Sequence, residues 1–387
     1  MSDLLIRNIR TIVSGDVEAP IADGDTIVVR DGVILSVGDE ASADGSGISA
    51  VIDAAGATVM PGFCDNHTHP VLGEFTPRQN QVGFIDSYLH GGTTTMLSAG
   101  EPHTPGRPTD PAGAKALAIV AHRSFANLRP SGVKVHAGAV LLEPGLTEDD
   151  FREMAAAGVT LVGEIGISGV KDADVAAEMT RWAQGSGMRV MVHTGGASIP
   201  GSGIIGADFV VAVQPDVAGH VNGGPTALPL DHVERILQET SARVEIVHNG
   251  NVKAAGEVAA LVAHRGEMHR LVVGTDSPAG SGVQPLGMLR TVSWIAALGG
   301  IDPAIAVAAA TGNVAALHGL HTGIIATGLE ADLLVVDAPL GSQAADALGA
   351  LAIGDTPAVV SAIIDGSPRF TKSRNTPPGT RPVSFSG

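Results

Sequence analysis

The chain has 387 residues and a net charge of −17, a length with room for one parallel α/β barrel of roughly 250 residues and a smaller companion. An acidic chain without a Lys/Arg cluster excludes a phosphate-gripping face, and with it nucleic acid as a partner. Apolar residues reach 44% but aromatics only 3%, so the core is expected to consist of Val, Ile, Leu and Ala, as in buried parallel strands.

The single cysteine, Cys64, excludes an internal disulfide. No apolar run approaches the roughly 20 residues of a membrane span, and the chain opens without a charged-then-apolar leader. A soluble cytoplasmic protein is the expectation.

In chain order, residues 3–58 show short β-type runs at 4–6, 26–29 and 33–37, separated by Asp23-Gly24 and Asp31-Gly32. They predict a small antiparallel unit. Residues 331–337 and 359–366 have the same texture, so both chain ends are expected to pair into one small β-sandwich domain, formed by 1–58 and 319–387. The Pro-, Gly- and Ser-rich stretch 371–387 reads as an extended arm.

Between 59 and 318 short apolar runs alternate with helical stretches, the pattern of βα units. Thr147 to Asp150 forms a capping-box-like helix start, and 229–240 and 302–318 carry apolar residues at helical spacing. Strands are expected at 59–64, 94–98, 133–140, 159–163, 189–192, 217–219, 244–247 and 271–274. Eight of them predict a closed (β/α)8 TIM-like barrel.

Polar residues recur at the ends of these strands. His67 and His69 are separated by one residue, so on an extended strand both rings face one side. Glu164, His193, His220 and Asp276 follow four other strands. In a parallel barrel those ends converge, and buried polar groups are costly unless paired or metal-bound. Imidazoles and carboxylates without thiols suit divalent transition metals. The arrangement suggested is His67, His69 and Asp276 on one metal and His193 and His220 on a second, with Glu164 and a hydroxide bridging them. Asp276 would then pass the hydroxide's proton to a leaving nitrogen. His248 also sits at a strand end as a candidate substrate contact. His122, His232, His264, His269 and His318 fall on expected helices, where exposure or capping explains them; His90, His103 and His136 lie close to barrel strands and stay open.

With Pro61-Gly62 leading to His67-Thr68-His69, and with Gly323-Ile324-Ile325-Ala326-Thr327-Gly328-Leu329-Glu330-Ala331-Asp332-Leu333 near the end, the chain resembles the amidohydrolase superfamily over nearly its whole length. The stretches 193–202, 220–227, 106–108 and 372–378 resemble its enamidase branch. That resemblance implies a Glu bridge rather than a carboxylated lysine, a mixed zinc and iron site (or two zincs), and a homotetramer. The substrate it implies is a cyclic amide, the enamide lactam 6-oxo-1,4,5,6-tetrahydronicotinate. An anionic ring needs a cation at the mouth, and Arg78 and Arg107 lie in loops after the first two barrel strands; Thr194 and Asn222 are further candidate contacts. The alternatives are another cyclic amide or imide, as in dihydropyrimidinase- or dihydroorotase-like enzymes, and a non-catalytic scaffold, although a scaffold has no need of the six convergent groups.

Overall fold

The structure, a computed structural model, describes residues 3–39, 47–76, 81–167, 169–196, 204–224, 226–278 and 282–387. The first part of the chain forms β1 (Leu4–Arg7), β2 (Thr11–Val13), β3 (Ile21–Ala22), β4 (Thr26–Arg30), β5 (Val33–Gly38), β6 (Ala50–Asp53) and β7 (Thr58–Pro61). Asp31 and Gly32, both at positive φ (50° and 83°), close the β4–β5 hairpin, as a type I′ turn requires. Asp23-Gly24 instead hands the chain from one sheet to another, because β3 pairs with β2 whereas β4 pairs with β1. The unit is mixed, not purely antiparallel: β1 runs parallel to β6 and β2 parallel to β7. Each of these partners is separated by an excursion through other strands, so the chain returns in its original direction.

The expected strand 59–64 divides in two. β7 pairs antiparallel with β16 (Leu333–Asp337), while β8 (Phe63–Thr68) begins the α/β body. Gly62 is the joint. Its N–H donates to Asp332 O at 2.9 Å, and a Cβ there would lie 2.2 Å from Thr94 Oγ1, so only glycine allows the crossing.

The body continues with α1 (Phe84–Leu89), β9 (Thr93–Ser98), α2 (Pro111–Ala126), β10 (Lys134–His136), α3 (Glu148–Ala156), β11 (Leu161–Ile165), α4 (Ala173–Gly185), β12 (Arg189–His193), α5 (Ala207–Val213), β13 (Val217–Gly219), α6 (Leu230–Glu239), β14 (Arg243–Val247), α7 (Val252–His264), β15 (Leu271–Gly274) and α8 (Gly287–Gly299). β8, β9 and β10 form one parallel array and β11 to β15 another; single bridges at Val140–Val162 and Thr68–Ser277 connect them. The expected strand 133–140 thus shrinks to three residues and one bridge. Helix starts follow the capping rules: Thr147 and Asp150 form the capping box of α3, and Asp110 caps α2 ahead of Pro111.

The stretch 302–318 is not one helix but α9 (Pro303–Ala309) and α10 (Gly312–His318). At the break Ala310 O accepts Cys64 N–H (3.0 Å). The turn also brings Val314 and Leu317 beneath the strands, beside Cys64, Leu97, Met191, Val217 and Val272. A second, larger core lies between strands and helices and includes Phe151, Val190, Val192, Ile246 and Val273. Strand side chains therefore alternate, Val190 and Val192 towards the helices and Met191 inward.

The chain ends with α11 (Ala347–Ala352), β17 (Ala358–Ile364), β18 (Ser367–Pro368) and β19 (Ser384–Ser386). Two sheets result, β19-β6-β1-β4-β5 and β18-β17-β16-β7-β2-β3, with Leu4, Ile6, Ile27, Val59, Leu333 and Ile363 among their shared core. The stretch 371–387 is no free arm. Ser373 Oγ donates to His90 O (2.7 Å), Thr380 Oγ1 to Asp337 Oδ2 (2.9 Å), and β19 pairs with β6. Its order comes from hydrogen bonds, which a reading of apolar content does not register. Among the described residues no helix is long and apolar enough to cross a membrane.

Candidate metal centre

Five strands bring six side chains to one end of the inner side. His67 lies in β8 and His69 just past it, Glu164 lies in β11, His193 ends β12, His220 follows β13, and Asp276 lies two residues beyond β15. Simple alternation accounts for His193, two residues after inward Met191. It fails for Glu164: Val162 and Ile165 both face the helices, and the β11–β12 register shifts between them. That bulge aims the carboxylate inward. A second irregularity, between Asp65 and Thr68 against β9, accompanies the paired histidines. His220 and Asp276 both have positive φ (34° and 54°), a conformation costing about 1–2 kcal/mol in a non-glycine residue and found where surroundings over-determine the backbone. Here Asp276 N–H donates to His67 O at 2.9 Å.

The six residues form two groups that could hold a metal ion: His67, His69 and Asp276, and Glu164, His193 and His220. Glu164 stands between them. Its Oε1 is 2.8 Å from His220 Nε2, 3.1 Å from His193 Nδ1 and 3.5 Å from His67 Nε2, and its Oε2 is 3.9 Å from His69 Nε2. In the first group Asp276 Oδ1 is 3.1 Å from His69 Nε2 and 3.6 Å from His67 Nε2. The donor set fits divalent cations. His67 Nε2 is buried without a hydrogen-bond partner, and His193 Nδ1 and His220 Nε2 converge within 2.9 Å of each other on one carboxylate oxygen. Nitrogen lone pairs crowded together in this way suit a shared metal ion.

Electrostatics follow the same crowding. Burial alone would raise the Glu164 carboxyl, but His67, His193 and His220 outweigh it and hold the group well below the usual carboxylate range. Burial would lower His67, yet Glu245, Glu164 and Asp276 lift it well above its ordinary value. Asp276 is held low against its burial chiefly by His67 and His69. With a side chain 16% exposed, against 0–6% for the other five, it is the member that reaches solvent.

The expected substrate contacts divide. Arg107 pairs with Glu143 Oε1 at 2.7 Å in the wall of a pocket shared with Pro70, Ser98, Gly100 and Glu101. That wall adjoins the centre, because His69 Nδ1 donates to Gly100 O. Thr194 Oγ1 donates to Gly219 O (2.8 Å), and Asn222 bonds both the N–H and the C=O of Val247 (2.9 Å each), so both tie neighbouring strand ends together. His248 stacks on Trp294 with ring centroids 4.7 Å apart. Burial and Arg290 push its pKa down to about 4. Arg78 lies outside the described residues. Among the open histidines, His103 stands edge-on to His69 at 5.7 Å, whereas His90 stacks on Phe370.

Among the buried carboxylates not singled out from the sequence, Asp65 and Glu245 support the ligand set directly. Asp65 accepts from the N–H groups of His67 (3.2 Å) and Thr275 (2.8 Å) and from Thr275 Oγ1 (2.7 Å), tying β8 to β15. Burial pushes its pKa up to about 7 against those bonds. Glu245 accepts from His67 Nδ1 at 2.8 Å; its signal was an acid inside the apolar run Val244-Glu245-Ile246-Val247. His318 is neither exposed nor a cap: its Nε2 meets Asn66 Oδ1 at 2.7 Å.

Imidazoles and carboxylates at the ends of parallel strands, joined to sheets built from both chain ends, define a metal-dependent hydrolase of the amidohydrolase class. No protein-family model matches the chain. It is 52% identical to the enamidase of Eubacterium barkeri over 381 residues, 98% of this chain and 99% of that protein. A crystal structure of enamidase superposes with a TM-score of 0.97 at 51% identity, covering 100% of both chains. The adenine deaminase of Deinococcus deserti is 26% identical across 86% of this chain, which spans 56% of that longer protein. At 16% identity and a TM-score of 0.63, N-isopropylammelide isopropylaminohydrolase from Burkholderia multivorans shares the fold. The chain belongs to the amidohydrolase superfamily and, within it, to the enamidases. It is an enzyme, a hydrolase of C–N bonds in cyclic amides.

Proposed function

We propose that the chain opens 6-oxo-1,4,5,6-tetrahydronicotinate, giving 2-formylglutarate and ammonia with consumption of two waters. The observation that carries this reading is the joining of two ligand groups through Glu164 in a chain half identical to an enamidase. In this reading the eight strands form a closed (β/α)8 barrel, the end sheets form a β-sandwich, and the centre takes two cations, zinc and iron or two zincs. Bound divalent cations supply an acidified water and a polarised amide carbonyl.

The chain's own residues do the rest. The water's oxygen bonds to the ring carbonyl carbon and its proton passes to Asp276, the solvent-reaching carboxylate. Asp276 returns that proton to the ring nitrogen as the C–N bond breaks. The released enamine becomes an imine, and the second water converts it to aldehyde and ammonia. Arg107, in the pocket wall beside His69, is the candidate for holding the ring carboxylate. A cytoplasmic homotetramer completes the proposal.

Stripping with a chelator and reloading with Zn2+ and Fe2+ tests it, with metal content and ammonia release followed together. Activity should vanish and return with close to two metals per chain. A stripped chain as active as the loaded one would overturn the metal reading. A chain loaded with two metals that leaves the lactam intact would overturn the substrate.

A further inference from the structure

Behind the metal centre runs a buried polar chain that the reaction does not use directly. Glu245 is on β14 between Val244 and Ile246, which face the helices, and it points inward and is fully buried. Three groups meet its carboxylate: Asn66 Nδ2 at 2.6 Å on Oε1, and His67 Nδ1 at 2.8 Å and the backbone N–H of His220 at 3.0 Å on Oε2. Beyond Asn66, His318 Nε2 lies 2.7 Å from Asn66 Oδ1.

The polarity of this chain is forced. Asn66 spends its amide N–H on Glu245, so its oxygen must accept, and His318 must donate through Nε2. A carboxylate that receives the Asn66 and His220 donors takes the proton of His67 Nδ1 as well. His67 is thereby fixed with a proton on Nδ1, and Nε2, which has no hydrogen-bond partner of its own, is the ring atom aimed between Glu164 and Asp276, where a cation would take the place of its proton. Through the His220 N–H the same carboxylate also holds the left-handed backbone that turns His220 into the second group.

We infer that Glu245, steadied by Asn66 and His318, is a positioning residue that sets the metal affinity of this centre by fixing the ring and tautomer of His67 and the backbone of His220. The inference rests on the reading of His67 and His220 as metal ligands. Partners of this kind behind a ligating histidine typically change metal affinity about 10–100-fold.

Glu245→Gln separates this role from a merely structural one. Asn66 can turn its amide and His318 can change tautomer, so every donor still meets an acceptor in that variant, and what is lost is the charge behind His67. Metal-free Glu245→Gln is expected to melt within a few degrees of the metal-free parent, whereas Zn2+ affinity, measured by chelator competition, should fall about 10–100-fold. The visible spectrum of the Co2+-loaded variant should shift with the altered ligand. His318→Leu, at the partly exposed end of the chain, provides a second variant that keeps Glu245 and removes only the donor orienting Asn66. It should lose affinity in the same direction by a smaller factor. Parent-like Zn2+ affinity and Co2+ spectra in both variants, beside a parent that binds two ions, would overturn the role of Glu245 alone. A parent that binds no divalent ion would overturn the metal reading itself, and this inference with it.

Discussion

Asp276 occupies a costly position at the residue scale, a left-handed backbone with a side chain shared between two imidazoles and solvent. A proton carrier needs that contact with both the reacting atoms and water. Asp276→Asn should leave KM near the parent value while lowering kcat by about 10²–10⁴-fold, the usual contribution of a general acid–base group. Steady-state kinetics on metal-loaded variant decide the point, and retained kcat would remove Asp276 from the proton path. His318 makes a different demand. Burial, then His136 and Arg189, push its pKa from 6.5 down to about 3. The unfolded chain takes up this proton near pH 6.5 and the folded one only near 3, so the stability it contributes is complete above 6.5 and is lost as pH falls. His318→Gln keeps a donor for Asn66 and removes the titration. Between pH 7 and pH 5 the metal-free variant should therefore lose less stability than the metal-free parent, by about 2 kcal/mol. Urea midpoints at the two pH values measure it, and parallel losses would refute it.

Strand ends carry the centre at the element scale, and their spacing depends on how closely β8 and β15 approach. Gly274 ends β15 against His67: a Cβ there would lie 2.6 Å from His67 Cβ and 2.9 Å from its N. The contact is with backbone as well as side chain, so Gly274→Ala must displace β8 rather than rotate a rotamer. A stability loss of about 1–3 kcal/mol is expected from such overpacking, together with reduced metal content in the folded fraction. Undiminished metal content would show that His67 tolerates the shift. The same strands show what a sequence can and cannot convey. His193 was legible because alternation from Met191 carries it inward, and β13 and β15 matched their apolar runs residue for residue. Glu164 was found by its place after an apolar run, but the bulge that aims it lies in register against a neighbour, which local pattern does not encode. The division of 59–64 into β7 and β8 was hidden for the same reason: its apolar run is continuous, and only pairing with distant Leu333–Asp337 separates the halves. Asn66 and His318, 252 residues apart, had no shared local signal.

Across the whole molecule the body that carries the metal centre and the sheets from the two chain ends share no paired strands among the described residues; they are held together by apolar packing, by hydrogen bonds such as that of Ser373 to His90, and by buried charges. Asp337 on β16 accepts from Arg381 and Thr380, fastening the last stretch of chain to the sheet. Lys134, opening β10, reaches three carboxylates, with Glu330 and Asp332 at 2.6 Å and Asp365 at 3.0 Å. One ammonium among three carboxylates is a poor surface ornament but an effective tie when buried, since the Asp332 side chain is fully buried and has no water to replace the cation. Burial opposes the charge on Lys134, and Asp332 foremost, then Glu330 and Asp365, overcome it and raise its pKa. A lysine whose folded pKa is raised contributes stability that is fully present below its ordinary value of 10.5 and is lost as pH rises through the folded value. The tie thus fails in alkali as Lys134 loses its proton, and it fails in acid as Asp332, whose carboxyl burial pushes above its ordinary value despite Lys134, takes one up. Lys134→Met keeps the aliphatic stem and strands the Asp332 carboxylate, a loss of about 3–5 kcal/mol by the usual cost of a buried charge without its partner. Lys134 opens β10 at the end of the strands away from the ligand set, so kcat per folded chain should stay at the parent value while the urea midpoint at pH 7 falls. A loss under about 1 kcal/mol would show that solvent screens the cluster as it screens exposed pairs, and the joint between body and end sheets would then rest on apolar packing and on hydrogen bonds such as that of Ser373 to His90.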